Sequence, residues 1–265
     1  GTFVFEGEGD FDDTLPRLAV SYDMNNNWNF YANYAKGRRS PVVNADASGV
    51  TVTKAEIVDS YDVGVKYQSA NFTFTGAVFT YQYSDYQQSY TDAETLQSIT
   101  VTVGDSTMSG IEGMATYQYS DTLSFTTSLG FLDAEFADET AEGTPFEYGG
   151  NKFRLAPEVS GAININKLVE MDNWLLDFNW LTSFQSKVYF ESSNYPGLWQ
   201  DTYSLTDVSM KVSKDNSPFA FDLYVDNLLD KEYLIDAGNT GGGLGIPTFV
   251  RGMPRIAGVR LYYDF

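Results

Sequence analysis

Along most of the chain, apolar residues return at every second position, the period of a strand whose two faces meet different surroundings. Residues 60–68 are the plainest case: Tyr61, Val63, Val65 and Tyr67 alternate with Ser60, Asp62, Gly64, Lys66 and Gln68. Trp28, Phe30, Ala32 and Tyr34 alternate in the same way with Asn29, Tyr31 and Asn33, and Leu123, Phe125, Leu129 and Phe131 with Ser124, Thr126, Ser128 and Gly130. Later in the chain Trp174, Leu176, Phe178 and Trp180 oppose Asp177 and Asn179, and Phe219, Phe221, Leu223 and Val225 oppose Ala220, Asp222, Tyr224 and Asp226. Around 74–81 and 203–208 the apolar phase slips by one residue, as a bulge would make it. The pattern predicts eleven strands, at 15–24, 27–37, 57–68, 71–87, 107–119, 122–136, 151–165, 173–190, 201–214, 218–233 and 248–265.

The connections alternate in length. Asn25-Asn26-Asn27, Ser69-Ala70-Asn71, Ser120-Asp121-Thr122 and Asp215-Asn216-Ser217 are short and built from turn-forming residues. Between them fall longer polar stretches at 38–56, 88–106, 137–150, 191–200 and 234–247. Short connections on one side and long ones on the other describe a transmembrane antiparallel β-barrel, all-β in class. A soluble β-sandwich also alternates, but its strands are shorter. Here large aromatics fill the apolar phase, and Tyr22, Trp28, Tyr67, Tyr117, Tyr119, Trp174 and Tyr263 gather at strand ends, where an interfacial girdle belongs. No apolar run is long enough for a membrane-spanning helix.

Composition narrows the chemistry. The 265 residues include 36 acidic and 16 basic side chains, a formal net charge of −20, with no Cys and no His. Nucleophile–His catalysis, the usual zinc and haem ligands and disulfides are thereby removed, so neither an enzyme nor a cofactor is expected. Nucleic acid, which demands a basic footprint, is not an expected partner. With 19 Tyr and 19 Phe the chain is far too aromatic for a disordered acidic polymer.

Several side chains are candidates for binding. Tyr86, Tyr90, Phe146, Tyr148, Tyr195 and Trp199 lie in or beside the long loops and could enclose an organic ligand, or else pack loop on loop. The stretch 133–147 carries Asp133, Glu135, Asp138, Glu139, Glu142 and Glu147 with no basic residue, and is expected to be a solvated acidic loop. Asp226, Asp230 and Glu232 lie close together but lack the calcium-loop spacing, and no metal site is expected. Gly241-Gly242-Gly243, without a following Lys-Ser/Thr, is a loop and not a phosphate cradle.

The C-terminal stretch resembles a known family. Val225-Asp226-Asn227-Leu228-Leu229-Asp230-Lys231-Glu232-Tyr233 is similar to the "v-x-N-L-x-D-K-x-Y" segment of TonB-dependent outer-membrane receptors, and Gly252-Met253-Pro254-Arg255 to their "G-x-P-R". Residues 15–22 and 31–41 resemble "P-R-x-x-x-S-Y … Y-A-x-Y-S-x-G-F-R-x-P", with Arg38 where an aromatic is usual; residues 56–66 and 151–163 resemble two further strands of the family in the same order. The resemblance implies a barrel of about 22 strands around an N-terminal plug, opened by the TonB energy-coupling complex, that carries a scarce small-molecule nutrient, most often an iron chelate such as a ferric siderophore. Residues 1–265 are then expected to be the C-terminal half of the β-barrel domain, with the plug, the first barrel half and the signal peptide outside this sequence. Lipid bilayer and lipopolysaccharide are the implied surroundings, and the bacterial outer membrane the implied location. A plug-less porin and a soluble all-β binding or adhesion module are the alternatives.

The resemblance also implies roles. Arg17, Asp62, Lys66, Arg154, Glu158, Asp177, Asp222 and Arg260 are expected on the lumen side, facing the plug or lining a path for substrate. Asn227, Asp230, Tyr233, Pro254 and Arg255 carry the family motif, with Asn227 and Asp230 expected to satisfy backbone groups where a strand leaves the bilayer. Ala257, Val259, Leu261, Tyr263 and Phe265 share one face of the last strand, with Gly258 seven residues before Phe265. That spacing resembles the C-terminal signal read by the barrel-assembly machinery, assigned here to Gly258, Leu261, Tyr263 and Phe265.

Overall fold

The structure, a computed structural model, describes residues 12–46, 49–91, 97–137, 148–241 and 246–264. β1 (Arg17–Asp23) and β2 (Trp28–Arg39) open the chain, and the connection beyond them holds a small hairpin of β3 (Val43–Asp46) and β4 (Gly49–Val52). β5 (Glu56–Gln68) and β6 (Phe72–Ser84) follow, then a second small hairpin, β7 (Gln87–Thr91) and β8 (Ser98–Thr102). β9 (Ser106–Ser120), β10 (Leu123–Phe136), β11 (Val159–Met171) and β12 (Trp174–Gln185) precede the short pair β13 (Val188–Tyr189) and β14 (Trp199–Gln200). β15 (Tyr203–Lys214), β16 (Phe219–Asp226), the hairpin of β17 (Leu234–Gly241) and β18 (Ile246–Arg251), and β19 (Ile256–Tyr263) complete it.

Eleven strands form one antiparallel sheet in the order β1-β2-β5-β6-β9-β10-β11-β12-β15-β16-β19. Among the described residues, β1 and β19 are each paired on one side only, so the sheet has two open edges. Neighbours in the sheet are neighbours in sequence apart from the small hairpins, which all sit in the long connections. The two ends of the sheet are therefore unlike: one carries tight turns, the other a layer of loops.

Register makes the two faces explicit. Ala32, Val63, Val78, Ile111, Phe131 and Val159 stand opposite one another across six consecutive strands. Phe178, Met210, Leu223 and Val259 continue the same phase toward β19. Val63 is 61% exposed and Ile111 56%, so none of the described residues covers this face. A continuous apolar surface of that breadth is not stable against water and suits a bilayer. The opposite face joins Asn33, Asp62, Phe79, Gly110 and Leu132 in one row, and Asn166, Asn179, Ser209, Tyr224 and Gly258 in another.

The bounds of four strands and the reading of two phase slips are corrected. The strand placed at 151–165 begins only at Val159, and Asn151–Glu158 instead belong to the loop layer, so Arg154 and Glu158 do not lie on a barrel strand. The strands placed at 173–190, 218–233 and 248–265 likewise cover Trp174–Gln185, Phe219–Asp226 and Ile256–Tyr263, while residues 186–190, 227–233 and 248–255 belong to small hairpins and turns of the loop layer. The phase slips at 74–81 and 203–208 are not bulges, since the pairing of β6 and β15 runs without interruption there. In β6 the slip reflects Phe79 and Tyr81, two aromatics stacked on the polar face with ring centroids 5.2 Å apart. The register shift in the large sheet falls instead between Leu123 and Ser124 of β10.

Candidate functional site

The buried apolar side chains lie at the loop end. Val103, Ala134, Phe136, Tyr148 and Phe153 form one cluster, and Val188, Phe190 and Ala237 a second. β9 and β10 run past the apolar band, and their upper residues present Met108, Leu132, Ala134 and Phe136 inward, where the loops can cover them. Tyr86 lies with its ring 5.5 Å from that of Phe136 and 5.2 Å from that of Phe153. Tyr148 is only 3% exposed, 5.5 Å from Phe136, and burial pushes its phenol up to about 12.

Hydrogen bonds staple the loops to one another. Gln87 Nε2 donates to the carbonyls of Ser40 and Lys54, tying the β6–β9 loop to the β2–β5 loop, and Asn44 makes a pair of bonds with the backbone of Thr100. The Ser192 hydroxyl donates to Gln88 Oε1, Asn151 Nδ2 donates to the Ser192 carbonyl, and Asn194 exchanges two 2.8 Å bonds with the backbone of Lys152. Arg154 Nε donates to the Phe190 carbonyl at 3.1 Å, and Gln200 Oε1 accepts from the Leu234 amide at 2.6 Å. The five loops thus form one connected crown, with polar side chains bonded across loop boundaries.

Charged groups are set into this crown. The Glu191 carboxylate is half-buried against Gly238, and desolvation holds its pKa above the ordinary carboxylate value; the Arg154 cation beside it offsets part of that shift and Asp236 adds to it. The Lys152 ammonium meets Asp133 at 2.6 Å, Glu135 at 3.2 Å and Glu158 at 3.3 Å, and these bonds raise its pKa. The Lys187 ammonium lies 4.1 Å from the Trp199 ring centroid and 4.5 Å from that of Tyr189. These arrangements neutralise and orient; among the described residues no group of three or more His, Cys, Asp or Glu could hold a metal ion.

The five loop aromatics among the described residues stand in different settings. Tyr86 and Tyr148 are core, Tyr90 stands on β7 opposite Ile99, Trp199 covers Lys187, and Tyr195 is 65% exposed. Phe146 lies outside the described residues, as do Asp138, Glu139, Glu142 and Glu147. Sequence reasoning missed Glu191, Gln200, Lys187 and Asn194. Only the polar run at 191–200 could have pointed to Glu191, Asn194 and Gln200, and Lys187 falls within the strand placed at 173–190.

On the polar face, Asp62 accepts a 3.1 Å bond from the Tyr81 hydroxyl, Lys66 lies 5.4 Å from the Tyr31 ring centroid, and Asp177 accepts from Asn166 at 2.7 Å. Arg17 shares this face at the edge strand, opposite Ala35. Arg260 bonds Asp222 at 2.7 Å while its guanidinium lies 3.9 Å from the Tyr224 ring, which in turn covers Gly258. A groove of about 530 Å³ runs along the face, bordered by Tyr31, Ala77, Glu112, Met114, Ser128 and Ser160.

The motif beyond β16 folds into a knot. Asn227, 4% exposed and in the left-handed region at φ 50°, donates from Nδ2 to the carbonyls of Lys231 and Met253 and accepts from the Lys231 amide. Its own amide donates to Asp207 on β15. Asp230 accepts from the Arg255 amide at 3.0 Å and faces the Arg255 guanidinium at 3.7 Å. The Tyr233 ring closes on Gly252 and stacks on Tyr203 at 4.9 Å, and Pro254 and Arg255 lead into β19, which opens at Ile256. β16 is thereby returned to β19 with its polar groups occupied.

Comparison with known proteins agrees with this architecture. The TonB dependent receptor-like, beta-barrel family matches residues 2–228. The pesticin receptor of Yersinia pestis is 23% identical over 237 residues, which are 87% of this chain and 33% of that protein. Among solved structures, the ferric yersiniabactin uptake receptor FyuA of Yersinia pestis superposes with a TM-score of 0.80 at 22% identity, over 95% of this chain and 37% of that one. BauA, the ferric preacinetobactin receptor of Acinetobacter baumannii, gives 0.74 at 19% identity, over 95% and 36%. The chain spans about a third of the length of the curated relatives it matches. With its eleven-stranded sheet, its two unlike faces and this match, the chain belongs to the TonB-dependent receptor-like β-barrel family.

Proposed function

We propose that residues 1–265 are the C-terminal half of the barrel domain of a TonB-dependent active transporter of the bacterial outer membrane, and that its cargo is a ferric siderophore or another iron complex. One observation carries the reading: eleven strands present a broad exposed apolar face on one side and a polar face with charges of both signs on the other, and among the described residues both edges are open. Open edges in hydrocarbon leave backbone groups unpaired at several kcal/mol each, so the sheet needs a first half to close it. A charged inner wall needs water or a polar plug to face. The relatives named above are receptors for ferric siderophores and for pesticin, which supports the iron cargo, and the stapled crown supplies a shaped entrance on the extracellular side.

The test uses the full-length protein. Cells lacking the gene are expected to lose uptake of one iron-55 complex from a panel of catecholate, hydroxamate, phenolate and citrate chelates, and to regain it from a plasmid only when TonB is present. Uptake of every complex at wild-type rates without the gene would overturn the iron reading. Uptake independent of TonB would favour a passive channel.

A further inference from the structure

The apolar face is not uniformly uncharged. Toward the loop end it carries both signs: Lys36, Arg38, Asp59, Asp133 and Glu135 share its phase. Toward the turn end every residue of that phase is neutral except two, Lys167 on β11 and Lys214 on β15, which flank β12. In a chain with net charge −20, two cations without a carboxylate among them are not the background composition.

Each lysine is placed like a group reaching for a headgroup. Lys167 stands opposite Leu123 and Phe178, and its ammonium bends back along the sheet to the Thr122 hydroxyl, at 2.8 Å, in the turn between β9 and β10. Lys214 stands opposite Trp174, and its ammonium lies 5.4 Å from that indole's centroid. Neither forms an ion pair among the described residues. The acids nearest in sequence, Asp121, Asp172 and Asp215, lie in the turns and Glu170 on the opposite face. A long cationic side chain on a lipid-facing strand runs its methylenes along apolar surface and delivers its charge at the interface. Two strands and four residues separate the lysines, so they lie about 16 Å apart at the backbone and suit neighbouring headgroups better than a single phosphate.

We propose that the arc from β10 to β16 is a contact surface for anionic phospholipid, with the phosphates of phosphatidylglycerol-type headgroups held by Lys167 with Thr122 and by Lys214 beside Trp174. The inference rests on the barrel reading, because short turns mark the periplasmic end; that end faces the phospholipid leaflet and not lipopolysaccharide. It is independent of the cargo.

The full-length protein, purified in detergent and stripped of lipid, is titrated with phosphatidylglycerol or phosphatidylcholine and analysed by native mass spectrometry. Wild type is expected to retain more phosphatidylglycerol than phosphatidylcholine. K167Q/K214Q should weaken that retention roughly thirty-fold, the equivalent of about 1 kcal/mol for each lysine at an anionic surface. K167R/K214R should keep it, and K36Q, which changes the same face at the loop end, should leave it unaltered. Equal retention of the two lipids by wild type, or undiminished retention by K167Q/K214Q, overturns the proposal while leaving the transport reading standing. A full-length protein that stays monodisperse without detergent would remove both.

Discussion

Asn227 shows how much one side chain can hold. Three backbone groups from two segments depend on its amide, and its left-handed backbone separates the effect of conformation from that of the side chain. Asn227→Gly keeps the backbone easy but orphans all three groups, and is expected to destabilise the full-length protein by about 1–3 kcal/mol for each group left dry, read by urea titration in lipid vesicles. Asn227→Asp keeps the acceptor and turns a carboxylate toward two carbonyls, so it should be no milder than Gly. Equal stability of Asn227→Asp and wild type would remove the knot as a structural element. Glu191 gives a pH signature. Its raised pKa means that the crown is favoured when Glu191 is neutral; that stability is present below the ordinary value of 4.5 and is lost as pH climbs through the raised value. Hydrogen exchange over residues 186–202, compared with Glu191→Gln across about pH 4 to 8, should show wild-type protection falling relative to the variant as pH rises. Parallel profiles would contradict this.

Among the strands, the two faces should answer differently to the same substitution. Arg at Leu176, Phe178 or Leu223 is expected to cost about 2–4 kcal/mol in vesicle refolding, and Arg at Ser128 or Asn179 far less. Equal costs would count against a bilayer on the apolar side. The same contrast explains why the strands were legible. Where one face meets lipid and the other a polar interior, a period of two is forced, and β2, β5, β9 and β10 fall within a few residues of where the alternation places them. Legibility ended where that contrast ends. Asn151–Glu158 alternate with Phe153 and Leu155 as a strand would, but Phe153 packs into the crown core. The small hairpins in the loops have no lipid face to impose a period, and the loop aromatics leave both enclosure of a ligand and packing of loop on loop open, because sequence cannot distinguish a ring that closes a core from one that opens to solvent. The knot beyond β16, by contrast, was legible in outline from Asn227 and Asp230, since short polar side chains at a strand exit have backbone groups to satisfy.

For the molecule as a whole, the open edges at β1 and β19 set the main expectation. Residues 1–265 expressed alone and refolded in detergent should give no heat-modifiable band on electrophoresis, whereas the full-length protein should migrate anomalously until boiled. A stably folded fragment with β1 paired to β19 would mean that these strands close on themselves and would retire the half-barrel reading. Phe265, the remaining residue of the proposed assembly signal, lies outside the described residues; its neighbours Leu261 and Tyr263 face the apolar side opposite Phe221 and Phe219.

The stapling of the crown bears on how such receptors can be re-engineered. Ser192 holds both Gln88 and Asn151, and Asn194 holds both backbone groups of Lys152, so the segment 191–194 is shared property of three loops. A graft that replaces the β12–β15 loop alone with that of another receptor would carry none of its host's complementary contacts; Gln88 Oε1 of the β6–β9 loop would lose its donor, and Asn151 and the Lys152 backbone of the β10–β11 loop their partners. Gln87 and Gln200 carry the same staples on to the β2–β5 and β16–β19 loops, so the transplantable module is the whole crown of five, and a graft should keep its shape only when those loops travel together.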